Sequence, residues 1–195
     1  MDEVAVPLCA PLLGEPLAIE LANTYFAVRG LPQEGLATLT HLTGWLEHHR
    51  DACGTVQPGT VTESDRVRFV ALRDAIRAIA AAVVDQHPMP DAALAVVNAS
   101  AAAAPSWPAL VSDGTGVTIT QRRGGAPPAA ALAAVGRSAV EVFGGELRAR
   151  VRACGGPECV LFFVKNHPRR EWCSAGCGNR ARVRRYHQRQ RGAVD

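Results

Sequence analysis

Four of the six cysteines lie in the last quarter of the 195-residue chain. Cys154 and Cys159 are separated by four residues, Cys173 and Cys177 by three, and the two pairs by thirteen. Two short thiol pairs joined by a loop suit one tetrahedral ion, because zinc takes four thiolates at about 2.3 Å and each pair supplies two from a single turn of backbone. Gly155, Gly156 and Pro157 give the first pair the turn chemistry of a zinc knuckle. Ser174 is a good N-cap, and no proline follows it as far as Arg191, so Cys173 and Cys177 are expected four apart on one face of a helix N-terminus. The apolar run Val160, Leu161, Phe162, Phe163, Val164 reads as a strand or hairpin between the pairs, a treble-clef-like plan. Two disulfides are the alternative. The chain starts with acidic Asp2 and Glu3, and Pro7, Pro11 and Pro16 interrupt the following apolar stretch, which argues against export and for thiolate-metal bonding in the cytoplasm. Cys9 and Cys53 stand alone and read as ordinary residues, and one structural zinc ion is the expected cofactor.

Charge divides at the same place. Residues 148–195 carry 12 Arg or Lys against 3 Asp or Glu, a net of +9, whereas residues 1–147 carry 9 against 15, a net of −6. A metal-fixed helix with this much arginine suggests nucleic acid, phosphates being gripped by guanidinium groups and base edges read by residues near the helix start. Arg169, Arg170, Arg182, Arg185 and Arg189 are assigned to phosphates, and Asn179, Arg180 and Arg184 to base edges of double-stranded DNA. A merely solvated arginine face, an RNA-binding surface or a protein-interaction module would use the same residues. Tyr186 and Trp172 are the only aromatics near enough to stack on RNA bases. No nucleophile-base pairing, phosphate loop or open metal position points to an enzyme.

The run Trp172, Cys173, Ser174 followed by Cys177, Gly178, Asn179, Arg180, Ala181, Arg182 resembles the signature of the CGNR zinc-finger family, bacterial proteins regarded as stress-induced transcription regulators. In that family an α-helical N-terminal domain, the ABATE domain, precedes the finger. Leu17–Thr24, LAIELANT, is similar to the step that opens that domain, with Glu20 where the relatives usually have Asp. The resemblance therefore implies a zinc-dependent transcription regulator. Between the pairs the chain departs from the family, lacking an Asp after the Phe and a Ser-Arg-Asn step.

The elements that must carry this module follow from periodicity. The fold expected is mainly α: a helical domain over residues 1–147 with one small β-hairpin, then the finger over 148–195. Residues 4–16 read as an extended lead-in. Leu17, Leu21, Tyr25 and Val28 predict a helix ending near Gly30; Leu39, Leu42, Leu46 and His49, with Trp45 beside them, predict a second over 35–50. Thr62 and Asp65 form a capping box for the longest, 63–86, whose stripe is Phe69, Leu72, Ile76, Ile79 and Val83. A fourth helix is expected over 91–104 with Leu94 and Val97 inward, a hairpin over 107–123 turning at Asp113-Gly114, a flexible break over 124–128, and a last helix over 129–143. Glu20, Asn23, Thr24, Arg73 and Asn98 are polar residues on otherwise apolar helices. They are either a small-ligand pocket for an effector or a hydrogen-bond and ion-pair network tying helices together. His41, His48, His49 and His87 lack metal-ligand spacing and read as surface or satisfied histidines. No stretch is long and apolar enough to span a membrane, so a cytoplasmic protein is expected. A homodimer would suit a palindromic site.

Overall fold

The structure, a computed structural model, describes residues 10–57, 59–112 and 114–191. Residues 4–9 of the expected lead-in, Cys9 among them, and Asp113 of the expected turn lie outside the described residues.

The first helix is shorter than periodicity suggests. α1 (Leu17–Ala22) begins on Pro16, whose carbonyl accepts from the amides of Ile19 at 2.8 Å and Glu20 at 3.0 Å, and it stops at Asn23. Tyr25–Val28 is instead strand β1, paired with β2 (Leu31–Glu34) across a two-residue turn. Arg29 at φ 51° and Gly30 at φ 78° both take the left-handed conformation that this tight hairpin turn requires. Tyr25 and Val28 happened to fall at helical spacing, but the aromatic and branched run favours the pleat once a turn follows it.

α2 (Leu39–His48) starts at Thr38, whose side chain accepts from the His41 amide at 3.2 Å, four residues later than expected. It buries Leu42, Trp45 and Leu46 and is followed by the single turn α3 (Arg50–Cys53). α4 (Glu63–Asp85) carries the expected capping box at Thr62 and Asp65 and ends at Gln86, which takes a left-handed φ of 57°. Its buried face holds Phe69, Leu72, Ile76 and Ile79, with Val83 half-buried at the end. α5 (Asp91–Ala101) stops before the expected Ala104, because Pro105 restricts the residues ahead of it. The hairpin forms as β3 (Ser106–Ser112) and β4 (Val117–Arg123), but it leaves Leu110 and Ile119 about three-quarters exposed, at 75% and 74%. α6 (Pro127–Gly144) reaches two residues into the stretch expected to be flexible, since proline fits the first turn of a helix, where no amide partner is needed. It packs against α5 through Gly136: a Cβ there would lie 2.4 Å from the Ala101 amide nitrogen, so only glycine allows the two helices to approach so closely.

α1, α2, α4, α5 and α6 share one apolar core. The C-terminal segment runs through a short 3₁₀ turn over Glu146–Arg150 into β5 (Val151–Ala153), which pairs antiparallel with β6 (Phe162–Val164). β6 is buried on both sides. Its alternation sends Phe162 and Val164 into the helical core and Phe163 into a second cluster with Cys154, Leu161, Cys173 and Cys177. The finger is thus docked on the helical body through both strands of this hairpin, Val151 of β5 joining Phe162 and Val164 in the core. His49, expected on the surface or satisfied, is half-buried against Trp45, with ring centroids 4.4 Å apart, and its Nε2 has no partner among the described residues. Among the described residues no helix is long and apolar enough to cross a membrane.

Candidate metal centre and nucleic-acid interface

The four cysteines are supplied as their spacing implied. Cys154 leaves β5 into the knuckle, where its amide donates to the Leu161 carbonyl at 2.9 Å and the Cys159 amide donates to Gly156 at 3.1 Å. Gly156 has no room for a side chain, since a Cβ would stand 2.9 Å from Cβ of Cys177. Cys173 precedes α7 (Ala175–Arg191), and Cys177 sits in its first turn, donating its amide to Ser174 Oγ at 3.3 Å. The four sulfurs lie within 4.8 Å of one another. Cys159 and Cys173 are 3.8 Å apart and Cys173 and Cys177 3.4 Å, against the ~3.8 Å sulfur edge of a tetrahedron with 2.3 Å zinc-sulfur bonds. A disulfide would need sulfurs at about 2 Å, and all four thiols are free. The donor set therefore fits one zinc ion with every position filled by protein.

The surroundings prepare these sulfurs to carry charge. Sγ of Cys154 accepts from the amides of Gly156 at 3.4 Å and Cys173 at 3.3 Å. Hydrogen bonds from the Cys159 and Cys173 thiols push its pKa down, and the same interactions push Cys173 up. Cys159 is pushed up to about 12, chiefly by its bond to Cys154. Thiolates this close repel one another, and a divalent ion held among them offsets that repulsion, so metal binding is coupled to proton release. Cys177 receives its own cation, for Nη2 of Arg180 lies 3.0 Å from its sulfur.

That contact changes the role expected of Arg180, which was assigned to a base edge. Arg170 departs further from expectation. It is half-buried, pairs with the buried Glu15 carboxylate, donates to the carbonyls of Val164 at 3.1 Å and Cys173 at 3.0 Å, and lies over the Phe163 ring at 4.7 Å. With its donors engaged in this way, it fastens the loop ahead of α7 and is not free for phosphate. Arg169, Asn179, Arg182, Arg184, Arg185 and Arg189 are exposed. Arg184 and Arg185 line a groove of about 390 Å³ with Trp172 and Glu171, and Arg185 stands 6.0 Å from the Trp172 ring centre. Asn179, Arg182, Tyr186 and Arg189 recur at helical spacing on the side away from that groove, so the freest face of α7 is theirs.

The five polar residues proposed for a ligand pocket do not converge on one cavity. Asn98 is exposed on α5. Glu20 is buried, and its Oε1 accepts from the amides of Leu13 at 3.0 Å and Glu15 at 2.7 Å. Its Oε2 has no partner among the described residues, and burial raises its pKa. Thr24 donates to the Leu21 carbonyl at 2.7 Å, and Arg73 pairs with Glu34 and Asp74. Asn23 bridges to the finger: its side chain donates to the Phe162 carbonyl and accepts from the Phe162 amide, both at 2.9 Å. These groups form connections between elements, because buried polar atoms find the nearest partners that the fold offers.

Two residues of the docking seam carried no functional reading from sequence. Glu15 accepts from the Val164 amide at 2.8 Å as well as pairing with Arg170; nothing local marks it, since both partners lie far along the chain. Arg77 donates to the carbonyls of Ala22 at 2.9 Å and Val160 at 3.1 Å and lies over Phe162. An arginine four residues after Arg73, beside the apolar stripe of α4, was a legible sign of an inward-facing cation.

Two family models match the chain. Residues 15–146 match the ABATE family, described as "putative stress-induced transcription regulator", and residues 150–190 match the CGNR zinc finger. No curated protein matches it.

Proposed function

From the premise that this chain belongs to the ABATE family and carries a CGNR zinc finger, we propose that it regulates transcription by binding double-stranded DNA through α7. In this reading residues 1–147 are the helical regulatory body and residues 148–195 the DNA-binding module. Zinc supplies no reaction: it closes a segment too small to have a core of its own and fixes the start of the helix. The observation that carries the reading is α7 itself, anchored at Cys177 and Gly178 and exposed along Asn179, Arg180 and Arg182–Gln190, with no acidic residue in it. An exposed helix that is polar on all sides gains little from packing, and uncompensated guanidinium groups attract a polyanion.

Arg182 and Arg189 then hold phosphates from the free face, Arg169 does so from the preceding loop, and Asn179 is the candidate for a base edge. Arg180 holds Cys177, and Arg184 and Arg185 remain beside the groove at Trp172. Trp172 is half-buried, packed against the zinc cluster and covered by Gly178, which leaves Tyr186 as the exposed aromatic of the helix and favours DNA over single-stranded RNA.

A mobility-shift titration of the full chain on duplex DNA across a salt series tests this. Affinity is expected to fall with a log-log slope of about −3 or steeper, three phosphates being held by Arg169, Arg182 and Arg189, and Arg182→Ala with Arg189→Ala to flatten that slope by about 2. Equal competition by RNA would redirect the assignment to RNA, and no shift at low salt would overturn it.

A further inference from the structure

A second cationic feature lies outside α7. At the open end of the β5–β6 hairpin, Arg150, Arg152, Lys165, Asn166, His167 and Pro168 line a cavity of about 340 Å³. The hairpin register brings these residues together: Val151 pairs with Val164, and the Lys165 amide donates to the Arg150 carbonyl at 2.8 Å, so the two cations emerge side by side where the strands begin and end. No carboxylate lines the cavity, and among the described residues the side chains of Arg150 and Lys165 make no ion pair or hydrogen bond. Arg152 uses only Nη1 locally, on the carbonyls of Ala149 at 2.9 Å and Val151 at 2.7 Å, which orients the guanidinium and leaves its other donors free. Nδ1 of His167 accepts from the Arg169 amide at 3.1 Å, so the neutral ring carries its proton on Nε2 as a further donor.

Three permanent cations held together without a counter-ion repel one another, and an anion that accepts several N–H bonds removes that repulsion. We propose that this cavity seats backbone phosphates of the nucleic acid bound by α7, forming a second point of contact on the same module. The inference rests on the duplex-DNA reading above. The site is wide and open, which suits a phosphate carried on a polymer better than a free ion that must be enclosed to be retained. Its position is fixed relative to the helix, because Arg170 binds the carbonyls at both ends of the intervening loop, Val164 on one side and Cys173 on the other. Two separated grips set the direction in which a duplex lies across the finger, which one helix alone does not.

The test uses the full zinc-loaded chain with Arg150→Ala and Lys165→Ala combined; Arg150 is exposed and Lys165 half-exposed, so folding is expected to survive, as zinc content and circular dichroism would verify. Duplex affinity at low salt should fall at least tenfold, and the salt slope should flatten by about 2. Arg150→Lys with Lys165→Arg keeps both charges and should retain the slope. An unchanged slope in the alanine pair, while the α7 pair Arg182→Ala with Arg189→Ala loses affinity, overturns the cavity's role and spares the helix. Absence of duplex binding in the wild-type chain overturns both. Inorganic phosphate is the control ligand: binding of it abolished by the alanine pair, with no change in duplex affinity, would identify a free-anion site and also contradict the proposal.

Discussion

In the helical body, α4 alone buries Phe69, Leu72, Ile76 and Ile79, and α1, α2, α5 and α6 close over them. The finger, by contrast, has Leu161 and Phe163 buried beside its cysteines, with Trp172 half-covered. The body folds because apolar surface leaves water. The finger has too little of that surface, and metal-thiolate bonds take its place. This difference also explains the exposed basic helix: a module closed by four sulfurs at one end of α7 has no need to bury the rest of it, so the arginines stay free for a partner. The two regimes meet at β6, whose residues alternate between the two clusters.

Removing the metal should separate the regions most sharply. Structural zinc sites are worth about 10–16 kcal/mol in finger peptides, so a chelator is expected to melt the module while the α4–α6 core keeps most of its helicity; loss of all helicity at once would show that the two are not independent. A core truncation should do the reverse. Ile76→Ala is expected to cost about 2–5 kcal/mol, read as a lower melting temperature of the body with one zinc still bound per chain. At the seam, Asn23→Ala leaves the Phe162 amide and carbonyl buried without their partner and should cost about 2–4 kcal/mol, with faster amide exchange in β6 as the local signature.

The smallest effect concerns pH and belongs to the body. Burial, and then repulsion from His48, lowers the His49 pKa to about 4 from 6.5. The unfolded chain therefore takes up a proton between those values that the folded chain refuses, so stability is complete above pH 6.5 and declines as pH falls toward 4. His49→Phe should remove about 2–3 kcal/mol of that decline, and an unchanged acid-unfolding profile would show that the ring is not held neutral. Acid sensitivity of the finger has a different origin, proton competition for the thiolates, and should persist in that variant.

How far the sequence foretold this molecule depended on range. The two cysteine pairs that come together, the Ser174 cap and the capping box of α4 were legible because each involves residues within a few positions of one another. Even Arg180 beside Cys177 is a neighbour at helical spacing and was open to that reading. Tyr25 and Val28 misled because four residues at helical spacing do not exclude a hairpin whose turn is set by Arg29 and Gly30. Arg170 could not be placed from sequence: its partner Glu15 is 155 positions away, and an arginine in a basic tail gives no local sign that a buried carboxylate awaits it. Asn98 failed for the opposite reason, since a polar residue on an alanine-rich helix says little about which face the packing will cover.

The most direct test of the central claim, that zinc holds α7 in a state competent to grip duplex DNA, is to titrate zinc back into the metal-stripped chain while following the anisotropy of a labelled duplex at fixed salt. The account predicts no binding without metal and full recovery at one zinc per chain. Equal affinity and an equal salt slope with and without zinc would contradict it.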